Sequence, residues 1–177
     1  MRERLTGKMV TFYAFFVMVF SVLTMAPSEA QYIKNVKIEK LPTFTYQTLN
    51  GNKFSDKDLK TNQRLMIVYF NPLCEVCQKE VKEIVTNIEY FKDIQIVMVS
   101  PNKKEEIDEF VNGFKLSNFP QITILHDIDD QFYKQFHAIG YPSLYMYDEN
   151  KVLLDHFDSH ANIREIKNTF NTETARQ

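Results

Sequence analysis

Arg64-Leu-Met-Ile-Val-Tyr-Phe-Asn-Pro-Leu-Cys74-Glu-Val-Cys77-Gln-Lys-Glu80 holds the only two cysteines of the chain, and the change of period inside it sets the architecture. Leu65 to Phe70 is an unbroken apolar run with β-branched and aromatic members, as a strand covered on both faces requires, and Asn71-Pro72 ends it. Beyond the turn, Cys77, Val81, Ile84, Val85, Ile88 and Phe91 recur at helical spacing, so one face of a helix packs on the sheet with Cys77 at its head. Cys74 then falls in the first turn. Unpaired N–H groups and the positive end of the helix dipole favour a thiolate there, and the thiolate is the nucleophile of disulfide exchange.

Working outward, Phe44 to Phe54 alternates around Asn50-Gly51, which predicts a β-hairpin, and Ser55-Asp56 is placed to cap a short helix over Lys57 to Lys60. After the cysteine helix, Ile94 to Ser100 reads as a second apolar strand. Asn102 with Glu105 reads as an N-cap and its reciprocal partner, opening a helix that turns Ile107, Phe110, Val111 and Phe114 inward. Gln121 to Leu125 is a third strand and Asp129 to Phe136 a short helix. Gly140-Tyr141-Pro142-Ser143 leads into two alternating runs, Leu144 to Tyr147 and Val152 to Phe157, whose short link implies an antiparallel pair. A helix over Asn162 to Phe170 and a polar tail from Asn171 to Gln177 finish the chain. This order predicts an α/β fold in which parallel strands are joined by right-handed helical crossovers.

With 177 residues, 44% hydrophobic and 25% charged, the chain suits one globular domain plus additions. Its formal charge of −2, with charges interspersed, argues against a nucleic-acid partner, which needs a clustered basic surface. The additions are an N-terminal leader over residues 1–30 and a lead-in over 31–40. Arg2, Arg4 and Lys8 precede an apolar run from Met9 to Met25, and Ser28 and Ala30 are the small residues of a cleavage site. An uncleaved anchor is the rival reading, disfavoured because the apolar run lies at the short end of what a spanning helix needs. Both readings place the domain outside the cytoplasm, where a disulfide is permissible.

Over Leu41 to Phe170 the chain resembles the thioredoxin-like superfamily, and within it the exported TlpA/ResA-like thiol-disulfide oxidoreductases related to the AhpC/TSA redoxins. The resemblance is carried by the Asn50-Gly51 hairpin, the strand into Cys74-Glu75-Val76-Cys77-Gln78-Lys79-Glu80, and Gly140-Tyr141-Pro142-Ser143 ahead of an antiparallel pair. It implies a central mixed sheet flanked by helices with an N-terminal β-hairpin extension. It also implies a cis proline at Pro142 facing the cysteines, a backbone at Tyr141 that pairs with the client peptide, and a glutamate at Glu80 that tunes the thiols. Leu73 and Glu75, flanking Cys74, join Tyr141 as expected client-contacting positions. Two residues depart from the family pattern. Leu73 stands where most relatives carry tryptophan, and Val68 where thioredoxins carry a buried proton-relaying acid. Glu80 is the nearest replacement for that acid, although its place on the edge of the apolar stripe suits a solvated glutamate beside Lys79 or Lys82 equally well.

The chemistry expected is exchange through a redox-active Cys74–Cys77 disulfide, with no other cofactor and no metal: Cys74 attacks a client disulfide and Cys77 resolves the adduct. The resemblance implies a monomeric, periplasm-facing reductase of exported clients, apocytochromes c among them, recharged by a membrane electron donor. A zinc site would need ligands beyond one CxxC, and His126, His137, His156 and His160 are scattered over different elements. A thioredoxin-like copper chaperone using Cys74, Cys77 and one histidine is the alternative, disfavoured by its different cysteine spacing. A peroxiredoxin would need a threonine and a proline where Asn71 and Ile67 stand. An inert structural clip is a poor use of so short a loop, since closing it removes little chain entropy.

Overall fold

A computed structural model describes residues 40–174; the expected leader, all of the lead-in but Lys40, and the last three residues of the tail lie outside them. The described chain runs β1 (Thr45–Thr48), β2 (Lys53–Ser55), β3 (Arg64–Tyr69), α1 (Glu75–Thr86), β4 (Ile94–Ser100), α2 (Lys104–Gly113), β5 (Ile122–His126), α3 (Phe132–Phe136), β6 (Ser143–Tyr147), β7 (Leu153–Phe157) and α4 (Ile163–Thr174). The strands form one mixed sheet in the order β2-β1-β5-β4-β3-β6-β7. β3, β4 and β5 are parallel and joined through α1 and α2, whereas β6 and β7 add antiparallel to β3. This is the thioredoxin-like arrangement, with the β1–β2 hairpin extending the sheet beyond β5.

Side-chain alternation along β3 divides the core in two. Met66, Val68 and Phe70 join Ile96, Met98, Leu144 and Met146 beneath α1, α2 and α4, which contribute Cys77, Ile84, Ile107, Phe110, Ile166 and Phe170. Leu65, Ile67 and Tyr69 point to the other face, where Phe44, Tyr46, Phe132, Phe136 and Tyr145 build an aromatic layer. Phe132 stacks between Tyr69 and Phe136, with ring centroids 4.2 Å away on each side. A strand with apolar side chains on both faces has no solvent side, which is why 65–70 shows no alternation in its polarity.

The hairpin turns where Asn50-Gly51 predicts, with Gly51 at φ +82°, a backbone angle that side-chain-bearing residues rarely adopt. Several boundaries differ from expectation. A 3-10 turn over Asp56–Asp58 replaces the helix expected over 57–60, and the Asp58 carboxylate accepts both the N–H and the hydroxyl of Ser55. α1 stops at Thr86 because Asn87 folds its side-chain amide onto the Glu83 carbonyl; a 3-10 turn over Ile88–Phe91 still delivers Phe91 to the core. Asn102 does not cap α2. Its backbone N–H and side-chain oxygen are both engaged by the Ser100 hydroxyl, its amide reaches Glu106 rather than Glu105, and the helix starts later, at Lys104. α3 starts at Phe132, not Asp129, because Asp130 adopts φ +47° and the Asp127 carboxylate collects the N–H groups of Gln131 and Phe132. The expected polar tail is helical through Thr174, with Asn162 and Glu165 capping α4 reciprocally.

Candidate active site

The β3–β6 register builds the site. Tyr69 pairs with Ser143, so the next residues along, Phe70 and Pro142, bring the Asn71–Cys74 turn beside the Tyr141–Pro142 turn at the C-terminal end of a central strand. The Tyr141–Pro142 bond is cis. The Asn71 side chain accepts the Leu73 N–H at 2.9 Å and its carbonyl accepts the Cys74 N–H at 3.1 Å, which fixes the cysteine turn. Cys74 is the N-cap of α1 rather than a first-turn residue, and its carbonyl accepts the Gln78 N–H as the first bond of the helix. It is half-buried, while Cys77, one turn on, is 0% exposed.

Burial pushes the Cys77 thiol up to about 12; the Asn71 N–H aimed at its sulfur pulls the other way, and a hydrogen bond with Cys74 and the nearby charges of Cys74 and Glu80 add to the rise. Cys77 is therefore protonated at neutral pH and shields its sulfur from solvent. The two sulfurs thus differ in access.

Glu80 is fully buried, 0% exposed, and not the solvated glutamate that its edge position also allowed. Its Oε2 lies 2.5 Å from His160 Nδ1 and accepts the Ala161 N–H at 3.0 Å, while its Oε1 is buried with no hydrogen-bond partner among the described residues. Burial raises the carboxyl to about 6, with the His160 and Ala161 contacts opposing the rise. The imidazole is 21% exposed, and its Nε2 lies 3.6 Å from Glu83 Oε1. His160 thus reaches Glu80, a partnership its place in the sequence does not suggest. It lies 80 positions from Glu80 in a loop, so no spacing rule could pair them. What was legible is only that Asn162-x-x-Glu165 begins a helix just after it.

A second polar chain leads away from Tyr141. Its hydroxyl donates to the Tyr69 oxygen at 3.1 Å, and the Tyr69 hydroxyl donates to Asp130 Oδ1 at 3.2 Å. Burial raises both phenols above their ordinary value, so both are donors at neutral pH. Tyr141 packs against both core layers, which anchors the residue that precedes Pro142. Beside Cys74 in the chain, Leu73 is 66% exposed, and Glu75 and Val76 are exposed as well.

Residues 38–156 match the AhpC/TSA family. No curated protein matches the chain. Among solved structures, MTB dsbF is similar over 77% of this chain and 98% of its own, with 20% identity and a TM-score of 0.66. A putative thiol:disulfide interchange protein DsbE from Chlorobium tepidum covers 77% of this chain and 96% of its own, at 18% identity and a TM-score of 0.64. A secreted Mycobacterium tuberculosis disulfide oxidoreductase, homologous to E. coli DsbE, covers 74% and 95%, at 16% and 0.61.

Proposed function

The chain belongs to the AhpC/TSA family, and from that membership and its paired cysteines we propose that it is a thiol-disulfide oxidoreductase that reduces protein disulfides. The observation that carries this reading is the asymmetry of the pair: a half-exposed Cys74 at the head of α1 and a buried, protonated Cys77 one turn behind it. The Cys74 thiolate attacks one sulfur of a client disulfide; a Cys74–client bond forms, the client S–S bond breaks, and the departing client sulfur takes a proton from water. Cys77 then attacks the Cys74 sulfur, closing the Cys74–Cys77 disulfide and releasing the second client thiol. Two protein thiols are oxidised and one client disulfide is reduced. Asn71 and Ile67 stand where a peroxidase needs threonine and proline, which argues against peroxide as substrate.

We assign Tyr141, Pro142 and the exposed Leu73 and Glu75 to the client-facing surface around Cys74. The basic-then-apolar leader supports export, and with it clients outside the cytoplasm, such as apocytochromes c, and recharging by a membrane electron donor. No helix among the described residues is long and apolar enough to cross a membrane. The similar structures, a putative thiol:disulfide interchange protein and a secreted disulfide oxidoreductase, point the same way. We assign the reductive direction to Glu75, the exposed acid next to Cys74. The test is trapping with Cys77→Ser, which should accumulate mixed disulfides through Cys74 and identify the clients; adducts on Cys77 in Cys74→Ser, with none on Cys74 in the reciprocal variant, would reverse the roles. Tight stoichiometric Cu(I) binding without disulfide reductase activity would replace the reading with a copper carrier.

A further inference from the structure

We propose that His160 is a positioning residue for the resolving step: it holds the Glu80 carboxylate by one oxygen and leaves the other to take the proton of Cys77. The proposal rests on the dithiol reading above and assigns a role to a residue outside the cysteine motif. Cys77 must lose a proton to attack, yet it has no solvent access, and Val68 on β3 offers no base. Glu80 lies three residues further along the same helix, where side chains share a face. Its two oxygens are unequally used. Oε2 is engaged by the imidazole at 2.5 Å and the Ala161 N–H at 3.0 Å, whereas Oε1 is enclosed and unpartnered among the described residues. A buried polar atom without a partner is costly, and here it leaves a carboxylate oxygen available for a proton.

The step balances as follows. The Cys77 S–H bond breaks and its proton passes to Glu80 Oε1; the sulfur electron pair forms the bond to Cys74, and the Cys74–client bond breaks with its pair leaving on the client sulfur, which takes a proton from water. Glu80 then returns its proton to solvent past His160, which is 21% exposed and faces Glu83 through its second nitrogen at 3.6 Å. The charged groups acting on Glu80 are His160, from the β7–α4 loop, and Glu83, on its own helix; those acting on Cys77 are Cys74 and Glu80. Without the imidazole, the carboxylate keeps one backbone donor in an apolar enclosure, which favours its neutral form, and a neutral Glu80 cannot accept a proton.

The purified chain, reduced and mixed rapidly with Ellman's reagent, separates the steps: thionitrobenzoate is released once when Cys74 attacks and again when Cys77 resolves. In the unaltered protein the second release should rise with pH through an inflection near 6, the value at which Glu80 ionises. His160→Ala should move that inflection upward, so that the ratio of second to first release rate falls about tenfold near pH 6.5 and recovers above pH 8. His160→Asn, which keeps an N–H for Oε2, should fall between the two, and Glu80→Gln should abolish the inflection. A second release indifferent to pH from 5 to 8 in the unaltered protein would overturn the proposal without any variant. So would a His160→Ala protein slowed equally at every pH, the mark of a merely structural contact. A chain giving no first release refutes the dithiol reading itself, whereas a normal first release followed by a second that ignores His160 refutes this inference alone.

Discussion

Cys74→Ser leaves Cys77 as the sole thiol, and that thiol should alkylate far more slowly than an ordinary cysteine. Its thiol is raised from 9.0 to about 12, mainly by burial, and the smaller contributions of Cys74 are the ones the substitution removes. Taken at the full three units, an upper limit in this variant, the thiolate population falls about 1000-fold at pH 8. A more basic thiolate is also a better nucleophile, and with a Brønsted slope of about 0.4–0.5 this returns a factor of roughly 15 to 30. The net retardation is about 30- to 60-fold, before steric closure of a sulfur that is 0% exposed is counted. Iodoacetamide competition against glutathione at pH 8, read by intact mass, measures it, and denaturant should erase the difference. Alkylation of folded Cys74→Ser within a few-fold of glutathione would refute the assignment of Cys77 as the buried, protonated partner. Cys77→Ala, by contrast, should label readily at Cys74.

Glu80 holds its proton up to about pH 6 against an ordinary 4.5, so its stabilising contribution is complete below about 4.5 and is lost as pH rises through 6. Urea unfolding should therefore show Glu80→Gln gaining about 2 kcal/mol on the unaltered protein between pH 4 and pH 8, and a constant difference would contradict the burial argument. Phe132→Ala removes the ring stacked between Tyr69 and Phe136 and should cost about 3–5 kcal/mol in the same experiment; a loss below 1 kcal/mol would mean the aromatic layer contributes little. Glu75→His should raise the reduction potential from a value nearer ~−270 mV than ~−120 mV, and equilibration with glutathione above ~−180 mV in the unaltered protein would make it an oxidant or isomerase instead.

Periodicity made the frame readable. The apolar run at 65–70 and the helical spacing after it mark the central strand and α1, because burial on both faces and on one stripe leave different signatures. Asn50-Gly51 was equally informative, since its positive φ is a local demand. The ends of elements were less legible because they turn on side chains choosing among neighbours: Asn102 bonds Ser100 and Glu106 instead of capping α2, and Asp127 starts α3 late. The cysteines could be read from their motif. The environment of Glu80 could not, for it is decided by His160 and Ala161, residues that only the folded sheet brings across.

The β3–β6 pairing also fixes the order in which the protein becomes competent. Until residues 143–147 have been synthesised and docked, β3 has β4 on one side and an open, wholly apolar edge on the other, an invitation to pair with another chain. During that interval Cys74 and Cys77 exist as thiols without the Tyr141–Pro142 turn beside them and without the imidazole that reaches Glu80. The nucleophile is thus made early and its governors late. A nascent or truncated chain ending before β6 would carry two ungoverned thiols next to an adhesive strand, a combination prone to intermolecular disulfides that the finished sheet forecloses.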